Sequence, residues 1–355
     1  VTAEGHMRYS PDTDPSKNAV VVMMDSDTQF YDRPDGVHEI RWVVETLLDI
    51  GAVSLLGSSL QFFEYSGDSD DSGSLVGHMD ELYKRGGRIF CGPIRSPTLV
   101  RLRRWITNHA DTVWLSTAST SSAVRNMSRV YRAVNSDTQF VSVAGDVLQR
   151  VAEMFKLSHF VFVTDPDDKH SDRCVRDIFA SIGQYPVMDV NDMRDSAWGP
   201  QTGLFIATSN NRHALTEIAS KKRYPSGTVL ITSDSFTLAH STTGDVTNMV
   251  NRGGVSMCGV TSLPMSDVGS GLWSKRLGND VSTPYLMYMY FALLDASRVL
   301  FKVSQNGQSI PKVMETMAGS EGMGFRDANG DMLDQNFVLF SAEPQSPTTL
   351  KWTKC

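Results

Sequence analysis

Small hydroxyl residues stand directly after a predicted strand, where backbone amides are also free to bind a ligand. Residues 88–91 form a short predicted strand that Gly92-Pro93 ends, and Ser96 precedes a predicted helix over 97–108. Backbone N–H groups are unpaired at a helix start and attract anions. The Ser96 hydroxyl and these amides therefore favour a carboxylate group. A structural interpretation of equal weight makes Ser96 the N-cap of this helix, with Pro97 as its first residue.

A second hydroxyl-rich segment, residues 116–122, follows the next predicted strand over 112–115. Its hydroxyls and unpaired amides can hold the second oxygen of a carboxylate, and a capped turn rich in serine and threonine is the structural alternative. Ligands of open α/β sheets bind at the carboxyl edge of the strands. We therefore assign both segments to one candidate site at such an edge.

The elements that position these segments alternate along the chain as strand and helix. Predicted strands cover residues 19–24, 59–64, 88–91, 112–115, 159–164, 203–208, 228–232, 254–260, 324–326 and 337–341. Predicted helices cover residues 36–50, 75–84, 97–108, 139–155, 174–182, 213–221 and 284–303. This alternation indicates parallel sheets with helices on both faces. Because the units are too many for one open sheet, two Rossmann-like lobes are favoured, with a single (β/α)8 barrel as the competitor.

Composition and charge narrow the class of protein. The chain has 355 residues and a net charge of −7, which argues against a nucleic-acid or anionic-membrane surface. No apolar run approaches the 18 or so residues that cross a bilayer. Four cysteines stand far apart without a C-x-x-C pair, so a zinc or redox site is not expected. Their three pairings, and unpaired thiols, all remain open.

Sequence motifs of common enzymes are missing from the chain. It contains no nucleophile elbow, zinc-protease helix, phosphate-binding loop or dinucleotide fingerprint. A segment beginning at Asp327 starts like a calcium loop, but Met332 and Val338 replace the glycine and the bidentate carboxylate that such a loop needs. We therefore expect neither an enzyme nor a metal or cofactor site.

Five segments together resemble the type I periplasmic-binding-protein family. They are Gly92-Pro93-x-x-Ser96, Ser119-Thr120-Ser121, the run 131–139, the run 231–236 and the run 325–331. The chain is similar in kind to branched-chain amino-acid carriers and to the venus-flytrap ectodomains of class C receptors and receptor-type cyclases. The resemblance extends from Ala19 to about Ser341.

The resemblance implies an α/β fold of two Rossmann-like lobes with parallel sheets, joined by a three-segment hinge. Residues 1–16 are then a tail, residues 17–138 and 262–330 form lobe 1, and residues 139–261 and 331–355 form lobe 2. The ligand of this family binds between the lobes, which close on it.

The resemblance also implies an α-amino-acid type of site. Ser96 and Thr120 match positions that hold the ligand carboxylate, with backbone amides around Ser119 helping. Asp137 and Asp234 match acidic positions near the ligand ammonium.

Three further positions complete the candidate set. Lys169 stands where many relatives place a tyrosine over the ligand, and it either contacts an acidic ligand group or is plain surface. Arg95, beside Ser96, favours an anionic ligand, and Ser209 follows the strand predicted over 203–208.

The expected function is extracytoplasmic binding of a small polar ligand, an amino acid or a related compound, for a membrane transporter. The alternative is the ligand-binding ectodomain of a membrane receptor, which adds a signalling domain and a homodimer through lobe 1 as partners. An enzyme on a similar scaffold is the third hypothesis. In the first two cases the protein is periplasmic or extracellular, with its signal segment outside the sequence given.

Overall fold

The chain divides into two compact units. The computed structural model describes residues 18–25, 36–65, 72–166, 169–193, 198–207, 211–221, 223–232, 244–262, 284–318, 330, 337–346 and 349–354. Unit 1 comprises Val1–Ser136 and Pro264–Gln335, and unit 2 comprises Asp137–Leu263 and Asn336–Cys355. The hinge and lobe bounds given above stay predictions.

Unit 1 is built on a five-stranded parallel sheet. Its strands are β1 (Ala19–Asp25), β2 (Ser59–Tyr65), β3 (Gly87–Cys91), β4 (Val113–Ser116) and β5 (Val130–Arg132). Its helices are α1 (Gly36–Asp49), α2 (Ser72–Lys84), α3 (Ser96–Asn108), α8 (Pro284–Asn306) and α9 (Ile310–Ala318). The strand order is β2-β1-β3-β4-β5.

Both faces of the first sheet are covered, which explains why β1 is a continuous apolar run. Val20 and Val22 pack on one face with residues of α1, α8 and α9. Val21 and Met23 pack on the other face with residues of α2 and α3. Because successive side chains of a strand point to opposite faces, both sets are buried, and all seven residues of β1 are buried.

Unit 2 is built on a seven-stranded sheet. Its strands are β6 (His159–Thr164), β7 (Val187–Asp189), β8 (Thr202–Ile206), β9 (Val229–Thr232), β10 (Ser256–Ser262), β11 (Phe337–Ser346) and β12 (Thr349–Lys354). Its helices are α4 (Asp137–Phe155), α5 (Lys169–Ile182), α6 (Asn211–Ala219) and α7 (Gly244–Gly253). The strand order is β12-β11-β10-β9-β8-β6-β7. Residues of α4 and α5 cover one face, and residues of α6 and α7 cover the other.

The predicted fold class is confirmed, with one correction inside the second sheet. Two separate sheets replace the single barrel that the alternation also allowed. However, β10 pairs with β11 and β11 with β12 in antiparallel fashion, so this sheet is not wholly parallel. A hairpin needs only a short turn, whereas a parallel pair needs a crossover. Strand β11 ends at Ser346 and β12 begins at Thr349, which leaves no room for a crossover.

Several short elements escaped the sequence prediction. Strands β5 and β7 have three residues each, too few to show a periodic pattern. Helices α7 and α9 and strand β12 were also missed, and the strand predicted over 324–326 lies outside the described residues. None of the described helices combines the length and the hydrophobicity needed to cross a membrane.

Candidate ligand-binding site

The strand order of unit 1 creates a switch point at the carboxyl edge of its sheet. The chain leaves β1 for β2 on one side and then crosses back to β3 on the other side of β1. Connections that run in opposite directions leave a crevice beyond the carboxyl ends of such strands, where ligands of open α/β sheets bind. The segments after β3 and β4 lie at this edge.

These two segments, residues 92–96 and 116–121, are called the hydroxyl loops below, and hydrogen bonds join them. The Ser119 hydroxyl donates to the carbonyl oxygens of Pro93 and Ile94, both at 3.3 Å. The backbone N–H of Ser121 donates to Ser96 Oγ at 3.1 Å. The structure therefore brings together Ser96 and the 119–121 segment, as a shared binding surface requires.

Ser96 is not the N-cap of helix α3. The helix begins at Ser96 itself, and the cap residue is Arg95, whose side chain makes no capping hydrogen bond. The Ser96 oxygen instead accepts from the other hydroxyl loop. Because a serine hydroxyl has one proton and two acceptor lone pairs, accepting this bond leaves its proton available for another acceptor.

Gly92 lets the first hydroxyl loop turn tightly against β1. Its φ is +116°, a conformation that residues with a Cβ rarely adopt. A Cβ at this position would lie 2.8 Å from the Cβ of Met23. The loop therefore takes its course because position 92 carries no side chain.

Arg132, at the end of β5, holds the second hydroxyl loop from inside unit 1. Its side chain is almost completely buried, with 1% of its surface exposed. Its guanidinium donates to the Thr120 carbonyl at 2.8 Å and to the Ser121 carbonyl at 3.0 Å. The sequence analysis included this residue only within the run 131–139 and gave it no role, because the strand that carries it has three residues and shows no periodic pattern.

The polar groups of the second hydroxyl loop are partly used inside the loop. The N–H of Ser119 donates to Ser116 Oγ at 3.3 Å, so this predicted carboxylate donor serves the loop itself. Thr120 is buried, with 8% of its surface exposed. The Thr117 hydroxyl is buried and has no hydrogen-bond partner among the described residues.

Arg95 belongs to a separate group of charged residues at the same edge. Its Nε lies 3.0 Å from Oδ2 of Asp25, the fully buried last residue of β1. Burial, and next to it the Asp25 charge, raises the pKa of the nearby Tyr65 hydroxyl well above its usual value, which the Arg95 charge partly offsets. We call Asp25, Tyr65 and Arg95 the charge cluster. The guanidinium of Arg95 pairs with Asp25, and 13% of the Arg95 side-chain surface is exposed.

The remaining predicted site residues belong to unit 2. Asp137 is buried and begins helix α4. Lys169 begins helix α5, but its side chain lies outside the described part of the structure. Ser209 and Asp234 lie wholly outside the described residues. The assignment of these four residues to the site stays a prediction.

The described residues contain no cluster of side chains suited to a metal ion. Cys91 is a buried free thiol, and Cys258 is also buried. Burial raises the pKa of Cys91 far above its usual value, so this thiol stays protonated and is a poor metal ligand. The side chains of Cys174 and Cys355 lie outside the described residues.

The sheet orders and the switch point of unit 1 define the class of fold. It is the fold of the type I periplasmic binding proteins, and solved structures of that class match nearly the whole chain. No protein-family model matches the chain, and a sequence comparison with curated proteins gives no match either.

Three similar structures are solute-binding proteins of bacteria. A substrate-binding protein of an ABC transporter from Desulfitobacterium hafniense, in complex with leucine, is 15% identical and has a TM-score of 0.63 over 95% of this chain and 100% of its own. The branched-chain amino acid transporter protein LivJ from Streptococcus pneumoniae, in complex with isoleucine, is 10% identical, with a TM-score of 0.65 over 96% and 100%. A solute-binding protein from R. palustris, in complex with benzoate, is 12% identical, with a TM-score of 0.68 over 95% of both chains.

Proposed function

We propose that this chain is an extracytoplasmic solute-binding protein that carries a small carboxylate ligand to a membrane transporter. An amino acid is the leading class of ligand. The observation that carries this proposal is the joining of the two hydroxyl loops, with Ser96 accepting from Ser121 and keeping its own proton for a ligand. Thr120 lies one residue away in the second loop and adds a second hydroxyl.

Hydroxyl groups suit a carboxylate because each donates one hydrogen bond without bringing a charge. A hydrogen bond to a charged group contributes about 1.5–3 kcal/mol, more than one between neutral groups. The three similar structures described above hold leucine, isoleucine and benzoate, and all three ligands carry a carboxylate. This shared chemistry supports a carboxylate ligand and leaves the rest of the ligand open.

The remaining contacts are assigned by the chemistry of their side chains. Asp137 and Asp234 would bind the ammonium group if the ligand is an amino acid, because a carboxylate is the natural partner of a cation. Lys169 and Ser209 would contact the ligand from lobe 2. Arg95 would act by holding the first hydroxyl loop through Asp25 and not by direct contact.

The proposed mechanism is closure of two lobes on the ligand. A ligand that contacts both lobes binds the closed state more tightly than the open state, and this differential affinity shifts the population. No bond is made or broken in the cycle. A transporter would then recognise the closed form.

A thermal-shift screen with leucine, isoleucine and benzoate tests the proposal. A ligand at 100 times its dissociation constant stabilises the folded protein by about 2.7 kcal/mol, which gives a clear shift. We expect Ser96→Ala and Thr120→Ala to reduce this shift. Ser142→Ala is the matched control, because its exposed hydroxyl donates to the Gln139 carbonyl of its own helix.

The three ligands also separate the roles of the acidic residues. Leucine carries an ammonium group and benzoate does not. Asp137→Asn should therefore weaken the binding of leucine and leave the binding of benzoate unchanged. A shift with benzoate alone would retain the carboxylate site and withdraw the ammonium role of Asp137 and Asp234. No shift with leucine, isoleucine, benzoate or any other amino acid or small carboxylate would contradict the proposal.

The receptor alternative requires an apolar surface through which lobe 1 pairs with a second copy. In the described part of unit 1, the exposed large apolar side chains are Trp42, Leu56, Val100 and Phe301. A pairing surface needs such side chains to form one contiguous apolar patch. Sedimentation with and without ligand tests the pairing.

A further inference from the structure

We propose that Arg132 is a positioning residue that directs the Ser96 hydroxyl proton toward the ligand carboxylate. It would do so through the peptide group between Thr120 and Ser121. This inference rests on the proposed function and names a residue outside the predicted contact set. Arg132 itself would not touch the ligand.

One peptide group is held at both of its ends. Its carbonyl oxygen, on Thr120, accepts from Arg132 at 2.8 Å. Its N–H, on Ser121, donates to Ser96 Oγ at 3.1 Å. Because a trans peptide is planar and its C=O and N–H point in opposite directions, fixing the carbonyl also fixes the direction of the N–H. Arg132 and Ser96 therefore act on opposite ends of one rigid group.

The arrangement orients the Ser96 hydroxyl by using one of its lone pairs. A hydroxyl that accepts from an N–H has its single proton left for a different direction. A positive guanidinium on the carbonyl side polarises the peptide and makes its N–H a stronger donor, as in other chains of hydrogen bonds. The proton of Ser96 is thereby prepared for an anion.

Burial makes this arrangement rigid. The Arg132 guanidinium is buried at the end of β5, where a charge-assisted bond is stronger than in water. It also holds the Ser121 carbonyl at 3.0 Å, so two successive peptides are fixed. The backbone N–H of Arg132 donates to the Gly330 carbonyl at 2.9 Å, which anchors the strand from the other side.

A double-mutant cycle between Arg132 and Ser96 tests the proposal, with leucine and benzoate as the probes in isothermal titration. Residues of one hydrogen-bond network couple by amounts that correspond to about 2- to 150-fold in affinity. We expect Arg132→Met to weaken binding by about fivefold or more when Ser96 is present. In the Ser96→Ala background, the same change should weaken binding by less than about twofold. An equal loss of affinity in both backgrounds would show a general structural effect and would overturn the positioning role of Arg132.

Two further variants keep the test independent of folding. Arg132→Lys keeps the charge but offers a single ammonium, so its affinity should lie between those of the wild type and Arg132→Met. Arg129→Met is the matched control, because Arg129 precedes the same strand and donates to the Ile106 carbonyl and to Ser128 Oγ. Its affinity should equal that of the wild type. If Arg132→Met does not fold, the cycle is run with Arg132→Lys.

Hydrogen exchange of the ligand-free protein tests the role of Arg132 independently of the proposed function. The Ser121 amide should exchange at least about tenfold faster in Arg132→Met than in the wild type or in Arg129→Met, because a freed peptide opens more often. Unchanged exchange would show that Arg132 does not hold this peptide group. If the wild type binds neither probe while exchange responds as expected, the ligand assignment fails and the holding of the peptide by Arg132 is retained.

Discussion

Two neighbouring groups of polar residues at one sheet edge differ in what they leave for a ligand. In the charge cluster, Asp25 and Arg95 pair with each other inside the protein. In the hydroxyl loops, Ser96 and Ser121 bond to each other, yet the Ser96 proton remains available. Arg95 and Ser96 are adjacent in the sequence but have different roles. A charged residue at the edge where ligands bind therefore need not contact the ligand.

The physical reason lies in the cost of burying a charge. An ionised side chain away from water must be paired, and the paired charges then have little hydrogen-bonding capacity left for a ligand. A hydroxyl or an amide has no net charge, so leaving it unpaired until a ligand binds costs less free energy. The comparison predicts that changes in the charge cluster affect mainly folding stability, whereas changes in the hydroxyl loops affect mainly ligand affinity.

The largest expected effect is on the charge cluster. Removing one partner of a buried ion pair leaves the other charge buried, so Asp25→Ala should lower the free energy of unfolding by about 3–5 kcal/mol. Urea unfolding measures this change. Glu45→Ala is the matched control, because Glu45 forms an exposed ion pair with Arg41 at 2.8 Å, and its loss should cost less than about 1 kcal/mol. Equal costs for the two variants would contradict the buried pairing.

A smaller effect is expected where the first hydroxyl loop turns. Gly92→Ala places a Cβ 2.8 Å from that of Met23 and requires a positive φ, so it should cost at least about 1–3 kcal/mol of stability. Gly77, in helix α2, has open space around it. Gly77→Ala should stabilise the protein by about 0.5–1 kcal/mol. A tolerated Gly92→Ala would show that the loop can take another course.

A third effect appears only at high pH. The pKa of Tyr65 is raised in the folded state, mainly by burial and then by Asp25, while an unfolded tyrosine titrates near about 10. The unfolded state therefore loses a proton that the folded state keeps. The resulting stability is fully present below about pH 10 and falls by up to about 1.4 kcal/mol per pH unit above it.

Urea unfolding at several pH values from 8 to 11 measures this slope. Tyr65→Phe removes the titrating hydroxyl and should flatten the part of the slope that belongs to this residue. Tyr185→Phe serves as a comparison tyrosine of unit 2. If the wild type and Tyr65→Phe lose stability in parallel above pH 10, the raised pKa of Tyr65 is wrong.

The sequence predicted the positions of the hydroxyl loops well because local signals mark them. An apolar run, then Gly92-Pro93, then Ser96 before Pro97 identifies a strand end and a helix start without knowledge of distant residues. The two segments also follow successive parallel strands, so a common edge could be inferred. The alternation of strands and helices favoured two lobes over a single barrel, and the resemblance to type I periplasmic-binding proteins implied the same two-lobed fold.

Contacts between distant residues could not be predicted in this way. Arg95 meets Asp25 because β1 and β3 are neighbours in the sheet, and neither composition nor spacing gives that strand order. Arg132 reaches the second hydroxyl loop from a strand of three residues, too short for a periodic pattern. The sequence therefore suggested a ligand role for Arg95 and did not single out Arg132.

The central claim is that the hydroxyl loops recognise a carboxylate. The most direct test is to titrate the protein with leucine and, separately, with leucinamide and to compare the two affinities. The two compounds differ only at the carboxyl group, which is neutral in the amide. We predict that the wild type binds leucine at least about tenfold more tightly and that Ser96→Ala loses most of this preference, since a hydrogen bond to a charged group contributes about 1.5–3 kcal/mol. An equal affinity for both compounds, or a preference that survives in Ser96→Ala, would contradict the account.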